Sequence, residues 1–364
     1  MIGLDHGATM APFPAIEVPL SISLRPISSG RRAQACRLGC RLLVLGAVVL
    51  AFASAFAAHE RAPGLASGPF RPGGMEVAIA GRLLRVAGGA MAGCLKAGET
   101  DRQGGPRRVQ ISDLFEIMAR SPTGAAVLRQ ARRKGVHVCI DAATDLLAYY
   151  FAGSRVVGVG AGLSKGARIA FLAHELAHVP QHPRYSDNRY FPARDLILLR
   201  RMREAAAEAI ATRIAWELGA RGYAGAWREK RATHYADRTR AFERAMGRGA
   251  GADEATRAAF DQWFAARWRR NVYDGMTIDH LERIARDSTG LVTPGRALSH
   301  DFLLGLGQVG GGNFLATTGG PRLTGPPYAT DVSAAHAGRL RRVLMGDARE
   351  AGAYGVFPLV AIGA

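Results

Sequence analysis

Cysteine is scarce in this sequence, with only Cys36, Cys40, Cys94 and Cys139 among 364 residues. Cys36 and Cys40 lie just before an apolar run, and their spacing matches no zinc ribbon. Cys94 and Cys139 are compatible with one disulfide in an exported domain and equally with two buried thiols. Cysteine usage therefore gives no metal site of its own and leaves the redox compartment open.

Acidic residues are also in short supply. The 30 Asp and Glu residues are outnumbered by 48 Lys and Arg residues, which gives a formal net charge of +18. The basic residues are scattered, and no basic motif with interleaved aromatic residues, as nucleic-acid-binding proteins use, is found. We attribute the charge to a composition rich in Ala, Arg and Gly and expect no specific nucleic-acid partner.

One apolar run stands out near the N-terminus, residues 42–58, directly after a basic stretch that ends at Arg41. Basic residues, an apolar run and then Ala55-Phe56-Ala57 are the order of a secretory signal peptide. The run is also near the lower length limit of a spanning helix, so an uncleaved membrane anchor stays open. Either form predicts an exported or membrane-anchored protein of the bacterial envelope, on the periplasmic side. If the run reflects a mis-assigned start, we expect a cytoplasmic protein.

Composition divides the chain into five parts. Residues 1–41 are predicted to be a disordered basic N-terminus, 42–58 the signal peptide or anchor, and 59–110 a linker rich in Gly, Pro and Ala. The main domain is predicted over 111–290, followed by a Gly- and Pro-rich C-terminal segment, 291–364.

Helix signals open the main domain, strand signals follow, and helix signals dominate the later part. Ser121-Pro122 has the residues of an N-cap and first helical position. A strand is predicted at 136–140, and a hairpin at 147–151 and 155–159 around Gly153-Ser154. The predicted helices cover 111–119 with Ser112 as a cap, 164–179, 195–218, much of 220–245, 253–268 with Phe260, Trp263, Phe264 and Trp268 as core residues, and 278–284.

The most specific motif is His174-Glu175-Leu176-Ala177-His178, inside the helix predicted to start at Ser164. Two histidines four residues apart lie on one helix face, one turn apart, so both imidazoles can reach one metal ion. Glu175 would lie near the same ion, where it can take a proton from a bound water. An apolar stripe of Ile169, Leu172 and Leu176 occupies the other side, so the histidines face either solvent or a cleft.

A catalytic zinc site needs a third protein ligand. The metzincin pattern is excluded, because Gln181 stands where that pattern has glycine and His182 comes too early. The remaining solution is a glutamate on a later helix, and Glu204 fits, with Glu208 one turn on orienting a ligand histidine. The competing interpretation of Glu204 and Glu208 is a solvated face with helix ion pairs.

These residues support a resemblance. His174-Glu175-Leu176-Ala177-His178 with Gln181, Arg203-Glu204-Ala205-x-Ala207 and Ala215-Trp216-Glu217-Leu218 resemble an uncharacterised bacterial family of zinc metallopeptidases. Phe260-Asp261-x-Trp263 and Tyr273-Asp274 also resemble the C-terminal half of that family. The similarity spans about residues 136–273 and extends more broadly to gluzincins, in which a glutamate on a following helix completes the zinc site.

The resemblance implies an α+β, zincin-like fold. It has a small mixed or antiparallel sheet packed on the His-Glu-x-x-His helix and a following long helix, with a mostly helical C-terminal half. It implies peptidase activity without a substrate. The chain departs from the family pattern at Ala206, where we expect an acidic residue. It departs from membrane-type gluzincins at Glu208, where an aspartate is common.

Three glycine motifs compete with the zinc hypothesis. Gly162-x-Ser164-x-Gly166 matches a nucleophile elbow, but no oxyanion segment precedes it and an N-cap role explains Ser164. Gly305-x-Gly307-x-x-Gly310 matches a dinucleotide fingerprint without the βαβ unit that fingerprint requires. The glycines before Lys165 do not match a phosphate loop, because Ser164 precedes the lysine.

The sequence therefore predicts a zinc metallopeptidase that acts on a peptide or protein substrate. His174, His178 and Glu204 would hold one Zn²⁺, Glu175 would be the general base, and Glu208 would support a ligand histidine. The strand at 155–159 is predicted to be the sheet edge that pairs with substrate. Candidate oxyanion-stabilising donors are Tyr185, Tyr190, Tyr223 and His182. The alternatives are a non-enzymatic envelope binding or scaffold protein and a serine hydrolase that uses Ser164.

Overall fold

The computed structural model describes residues 93–142, 147–181, 191–287, 297–317 and 320–351. All of them belong to one compact unit, Ser67–Ala364. In chain order the helices are α1 (Pro106–Ala119), α2 (Pro122–Arg133), α3 (Lys165–His178), α4 (Ala193–Ala220), α5 (Gly225–Ala232), α6 (Ala236–Gly247), α7 (Ala252–Ala265), α8 (Arg267–Asp287), α9 (His300–Leu304) and α10 (Ala334–Ala351). The strands are β1 (Leu95–Lys96), β2 (His137–Asp141), β3 (Ala148–Phe151), β4 (Val156–Gly160), β5 (Gln308–Val309) and β6 (Gly312–Asn313).

Capping residues set the starts of the helices that precede the site. The Ser121 hydroxyl accepts the Gly124 N–H at the start of α2, and the Ser164 hydroxyl accepts the Ala167 N–H at the start of α3. Both caps confirm the predicted helix starts. The prediction for α1 was wrong at its beginning. The helix starts at Pro106, because proline at the first helical position needs no N–H partner. Ser112 is therefore not a cap and is buried within the helix.

The main sheet is small and mixed, with strand order β1-β2-β4-β3. β3 and β4 form the predicted antiparallel hairpin, and β4 continues beside β2 in parallel. The prediction that residues 155–159 form a sheet edge was wrong, because β4 lies between β2 and β3 and is buried throughout. The edges of this sheet are β1 and β3. A disulfide joins Cys94, just before β1, to Cys139 on β2.

Helices α3 and α4 form the centre of the domain. α3 packs on β3 and β4 with one face and on α4 and α5 with others. Its stripe of Ile169, Leu172 and Leu176 is fully buried, as predicted. α4 is a 28-residue helix whose central alanines, Ala205, Ala206, Ala207 and Ala209, are fully buried. Small side chains at these positions bring the backbones of neighbouring helices close together.

The C-terminal half is mostly helical, which confirms that part of the expected fold. The helix predicted over residues 253–268 ends at Ala265, and α8 begins at Arg267. Phe260, Trp263 and Phe264 are buried core residues, but Trp268 is 52% exposed, so its predicted core role was wrong. Trp268 follows the break between the helices, and it therefore leaves the buried face of α7.

The region predicted as a Gly- and Pro-rich C-terminal segment contains α9, the β5–β6 hairpin and α10. Arg201 on α4 contacts this region through its guanidinium, which donates to the Thr330 carbonyl at 2.8 Å and also pairs with Asp274 of α8 at 2.6 Å. Among the described residues, no helix combines the length and apolarity that a membrane span requires. The predicted signal or anchor segment, 42–58, lies outside them.

Candidate metal centre

Helices α3 and α4 bring together three side chains that can hold a metal ion. His174, His178 and Glu204 are all buried, and one donor atom from each lies within 4.8 Å of the others. His174 Nε2 lies 3.0 Å from His178 Nε2. Glu204 Oε2 lies 3.5 Å from His174 Nε2 and 3.7 Å from His178 Nε2. The three atoms therefore form a compact triangle.

Both histidines face the adjacent helix rather than solvent. His174 is 8% exposed and His178 is 6% exposed, while Glu204 and Glu208 are 6% and 3% exposed. These values exclude the solvated Arg/Glu face that competed with a ligand role. The close packing of α3 on α4, which the alanines of α4 permit, brings the two polar faces together.

The remaining nitrogen of each imidazole meets an oxygen acceptor. His174 Nδ1 lies 2.8 Å from Glu208 Oε1, and His178 Nδ1 lies 2.9 Å from Gln181 Oε1. A proton on each Nδ1 would leave both Nε2 lone pairs directed into the triangle. This arrangement is how neighbours of ligand histidines fix the imidazole tautomer in metal sites. The sequence analysis noted Gln181 only because it breaks the metzincin pattern.

The triangle has the size that a tetrahedral zinc site requires. Zinc binds imidazole nitrogen and carboxylate oxygen at about 2.0–2.2 Å, so two ligand atoms of one tetrahedron are about 3.3 Å apart. The three distances here are 3.0, 3.5 and 3.7 Å. Two histidines and one glutamate also leave a fourth position open, as catalytic zinc sites do. The residues present therefore fit the ion.

Cations lie behind the two glutamates. Glu208 Oε2 accepts a hydrogen bond from Lys230 Nζ at 3.0 Å, and Arg238 Nε lies 3.6 Å from the same oxygen. Arg200 Nε lies 3.1 Å from Glu204 Oε1. Burial alone would raise the pKa of Glu208, but the charges of Lys230 and Arg238 hold it well below its ordinary value. Glu208 is therefore a carboxylate in the folded protein.

The two histidines differ in their protonation. Burial lowers the pKa of His178 to about 4, so its imidazole is neutral at neutral pH, as a metal ligand must be. Burial also acts to lower the pKa of His174, but hydrogen bonds to Glu204 and Glu208 outweigh it and raise that pKa to about 10. The two buried carboxylates therefore favour the protonated form of His174.

Glu175 sits beside this triangle and is partly buried. Burial raises its pKa to about 7, although the nearby charge of His174 opposes the shift. A carboxyl group that titrates near neutral pH can both accept and release a proton under ordinary conditions. The position and pKa of Glu175 suit a general base.

Two tyrosines that the sequence analysis did not select as donors lie near the same carboxylates. Burial is the main cause that raises the pKa of Tyr235, and the negative charge of Glu208 raises it further. Burial likewise raises the pKa of Tyr273, followed by the charge of Glu204. Both hydroxyls are therefore protonated donors near the site. The signal for Tyr273 was its place in the Tyr273-Asp274 pair of the resemblance, whereas Tyr235 carried none.

Of the four predicted donors, only Tyr223 belongs to the described residues. The charges that act on Tyr223 are those of Arg228 and Glu229, not those of the site glutamates. Tyr185, Tyr190 and His182 lie outside the described residues.

The structure gives Ser164 a structural role. Its hydroxyl caps α3 and donates to Glu229 Oε1 at 2.5 Å. A serine nucleophile needs an adjacent general base oriented by a third group. In the described part of the chain, Ser164 has the contacts of a helix cap, and the alternative of a serine hydrolase has no support. The Gly305-x-Gly307 segment forms a 3₁₀ turn rather than the start of a dinucleotide-binding helix.

Comparison with known proteins agrees with this class of site. A family model described as "Putative metallopeptidase family (DUF6782)" matches residues 88–316, well over half of the chain. The chain belongs to this family. No curated protein and no solved structure matches it.

Proposed function

We propose that this protein is a zinc-dependent metallopeptidase of gluzincin type with a zincin-like fold. The observation that carries the proposal is the buried triangle of His174, His178 and Glu204, with donor atoms within 4.8 Å of one another. These three residues would hold one Zn²⁺. When bound, the zinc would lower the pKa of a water molecule and polarise the scissile carbonyl.

The surrounding side chains have separate roles in the proposed reaction. Glu175 takes the proton of the attacking water and later delivers it to the leaving amine, which its pKa of about 7 permits. Glu208 and Gln181 hold the histidine rings in orientation through His174 Nδ1 and His178 Nδ1. Tyr235 and Tyr273 donate hydrogen bonds to the developing oxyanion.

An extended peptide would add to the sheet at β3. The edge position of β3, beside β4 and in contact with α3, supports this choice. A strand at the edge of a sheet has backbone groups available for pairing with a peptide. The proposed substrate is therefore a peptide or protein segment that binds in extended form.

The protein is proposed to be exported, or anchored in the membrane through residues 42–58. The Cys94–Cys139 disulfide supports an oxidising compartment, because such bonds are rare in the cytosol of most bacteria.

Metal analysis and a peptide-cleavage assay test this function together. Wild-type protein should bind about one zinc per chain and hydrolyse peptides. Glu175→Gln should keep the zinc and lose hydrolysis, whereas Glu204→Ala should lower the zinc content. Full activity in Glu175→Gln would refute the mechanism, and zinc loss only in Glu208→Ala would refute the ligand assignment. Zinc without hydrolysis in the wild type would favour the non-enzymatic envelope protein.

A further inference from the structure

Four aromatic rings form a continuous row from α3 to α8. The centroids of Phe171 and Tyr235 are 6.2 Å apart, those of Tyr235 and His234 are 4.2 Å apart, and those of His234 and Trp268 are 5.7 Å apart. We call these four residues the aromatic row. Rings at these distances and tilts form favourable aromatic pairs. The row therefore connects the helix of the candidate metal centre to the start of α8.

The inner end of the aromatic row lies at the candidate metal centre. Phe171 precedes Glu175 by one turn of α3, so the two side chains lie on the same helix face. The Tyr235 ring lies 5.0 Å from Lys230 Nζ, and that ammonium group donates to Glu208. A substrate positioned over Glu175 would therefore meet the row on one side.

The outer end of the aromatic row is open to solvent. Trp268 is 52% exposed, and Val272, one turn further along α8, is 51% exposed. Among the described residues, six large apolar side chains are at least 39% exposed, and these two, the most exposed of the six, are neighbours on one helix face. His234, between Trp268 and Tyr235, is also exposed. Exposed apolar surface that continues into a reaction site is typical of a binding surface.

Buried cations hold the rings of the row in place. The Arg238 guanidinium lies 4.6 Å from the Tyr235 ring centroid, and the Arg269 guanidinium lies 5.1 Å from that of Trp268. Arg238 and Arg269 are 0% and 3% exposed. Rings held by such contacts lose little freedom when an apolar ligand binds. Arg269 is itself paired with Asp237 at 3.1 Å, and Arg238 lies 3.6 Å from Glu208, so carboxylates offset both charges.

From this continuity we infer that the aromatic row, with Val272, is a specificity subsite for a large apolar side chain of the peptide substrate. The residue it takes lies close to the scissile bond and is aromatic or branched aliphatic. Small residues bind weakly there because they bury little apolar area, and a lysine would have to bring a hydrated charge onto an apolar surface. This inference rests on the proposed function, because it assigns the occupant to the substrate of that site.

The affinity of the protein for peptides tests the subsite separately from catalysis. The zinc-loaded Glu175→Gln protein would be titrated with sets of fluorescent peptides. Within a set, the peptides differ at one position only, which carries Phe, Leu, Ala or Lys, and each set varies a different position. At one position, Phe and Leu should bind about tenfold more tightly than Ala or Lys. Adding Trp268→Ala should reduce that preference severalfold. Leu344→Ala, which removes an exposed apolar side chain from α10, should leave it unchanged.

The possible outcomes distinguish a failure of the subsite proposal from a failure of the peptidase proposal. If wild-type protein cleaves a peptide mixture but the residues flanking the cuts are the same in Trp268→Ala, the subsite is wrong and the peptidase assignment stands. If Glu175→Gln shows no apolar preference, the subsite is also wrong. If Trp268→Ala alters only the oligomeric mass in solution, the exposed surface binds a second copy instead. If no peptide is bound or cleaved, both proposals fail.

Discussion

Lys230 Nζ donates a 3.0 Å hydrogen bond to Glu208 Oε2 in the protein interior. The other oxygen of Glu208 lies 2.8 Å from His174 Nδ1. Lys230 on α5 therefore acts on a proposed ligand on α3 through a carboxylate on α4. This chain of contacts makes Lys230 a positioning residue for the candidate metal centre, although it does not touch the proposed ion.

Replacing Lys230 with methionine should weaken zinc binding. Without its ammonium partner, Glu208 holds His174 less firmly, and changes of this kind cost roughly 10- to 100-fold in metal affinity. Competition with a chromophoric chelator would measure the zinc dissociation constant. Lys230→Arg keeps the charge and should retain most of the affinity. An unchanged constant in folded Lys230→Met protein would show that Glu208 needs no support from Lys230.

Removing the hydroxyl of Tyr235 or Tyr273 should slow hydrolysis without removing zinc. Loss of one donor to a developing oxyanion typically lowers kcat by about 10²- to 10³-fold. Steady-state kinetics of Tyr235→Phe and Tyr273→Phe, with zinc content measured alongside, would show this as a fall in kcat. Tyr223→Phe is the matched control and should be active. If only Tyr223→Phe loses activity, Tyr223 is the oxyanion-stabilising donor, as one of the sequence-based candidates.

Glu217 should make the fold sensitive to acid. Its carboxylate accepts hydrogen bonds from the Ser121 hydroxyl at 2.6 Å and from the Thr123 hydroxyl at 2.7 Å. Burial opposes ionisation, but these bonds prevail and lower the pKa of Glu217 below 4.5. A group with a lowered folded pKa stabilises the protein above its unfolded pKa, and this contribution is lost as the pH falls through the folded value.

The test of Glu217 is a series of thermal melts from neutral to acid pH. Wild type should have a higher Tm than Glu217→Gln at neutral pH, and the difference should shrink as the pH drops below about 4.5. Glu116→Gln changes a surface carboxylate paired with Arg102 and should shift Tm little at any pH. A constant difference between wild type and Glu217→Gln would mean that ionisation of Glu217 does not contribute.

The disulfide should contribute measurably to stability. Cys94 and Cys139 are separated by 45 residues, and closing a loop of that size is worth about 4 kcal/mol in the chain-entropy account. Reductant should lower the Tm of wild type to about that of the Cys94→Ser/Cys139→Ser double variant. The double variant should not respond to reductant. Equal Tm values with and without reductant in the wild type would argue against the bond.

Helical spacing along the sequence predicts part of the candidate site. The period of the helix places His174 and His178 on one face, and the structure has them 3.0 Å apart at Nε2. Helical spacing also places Glu204 and Glu208 on one face of α4. It does not say which of them reaches the metal position, because that depends on how α4 is rotated and shifted against α3.

Other features depended on contacts between distant parts of the chain. A hairpin is a local structure and was predicted, but the position of β4 inside the sheet follows from its pairing with β2. Tyr235 has no motif around it, and its place near the site results from the packing of α5 and α6 beside α3 and α4. The break before Arg267 turned Trp268 from an expected core residue into an exposed one.

Local sequence patterns were enough to predict the histidine pair of the candidate metal centre on α3, the cap that starts this helix and the mixed α and β character of the fold. These follow from periodicity, capping and turn chemistry, which act over a few residues. The third member of the triangle, the carboxylate and cations behind His174, and the edge of the sheet became known from the three-dimensional structure alone. Each of these is a contact between separate elements, and such contacts depend on helix packing and strand order rather than on spacing along the chain.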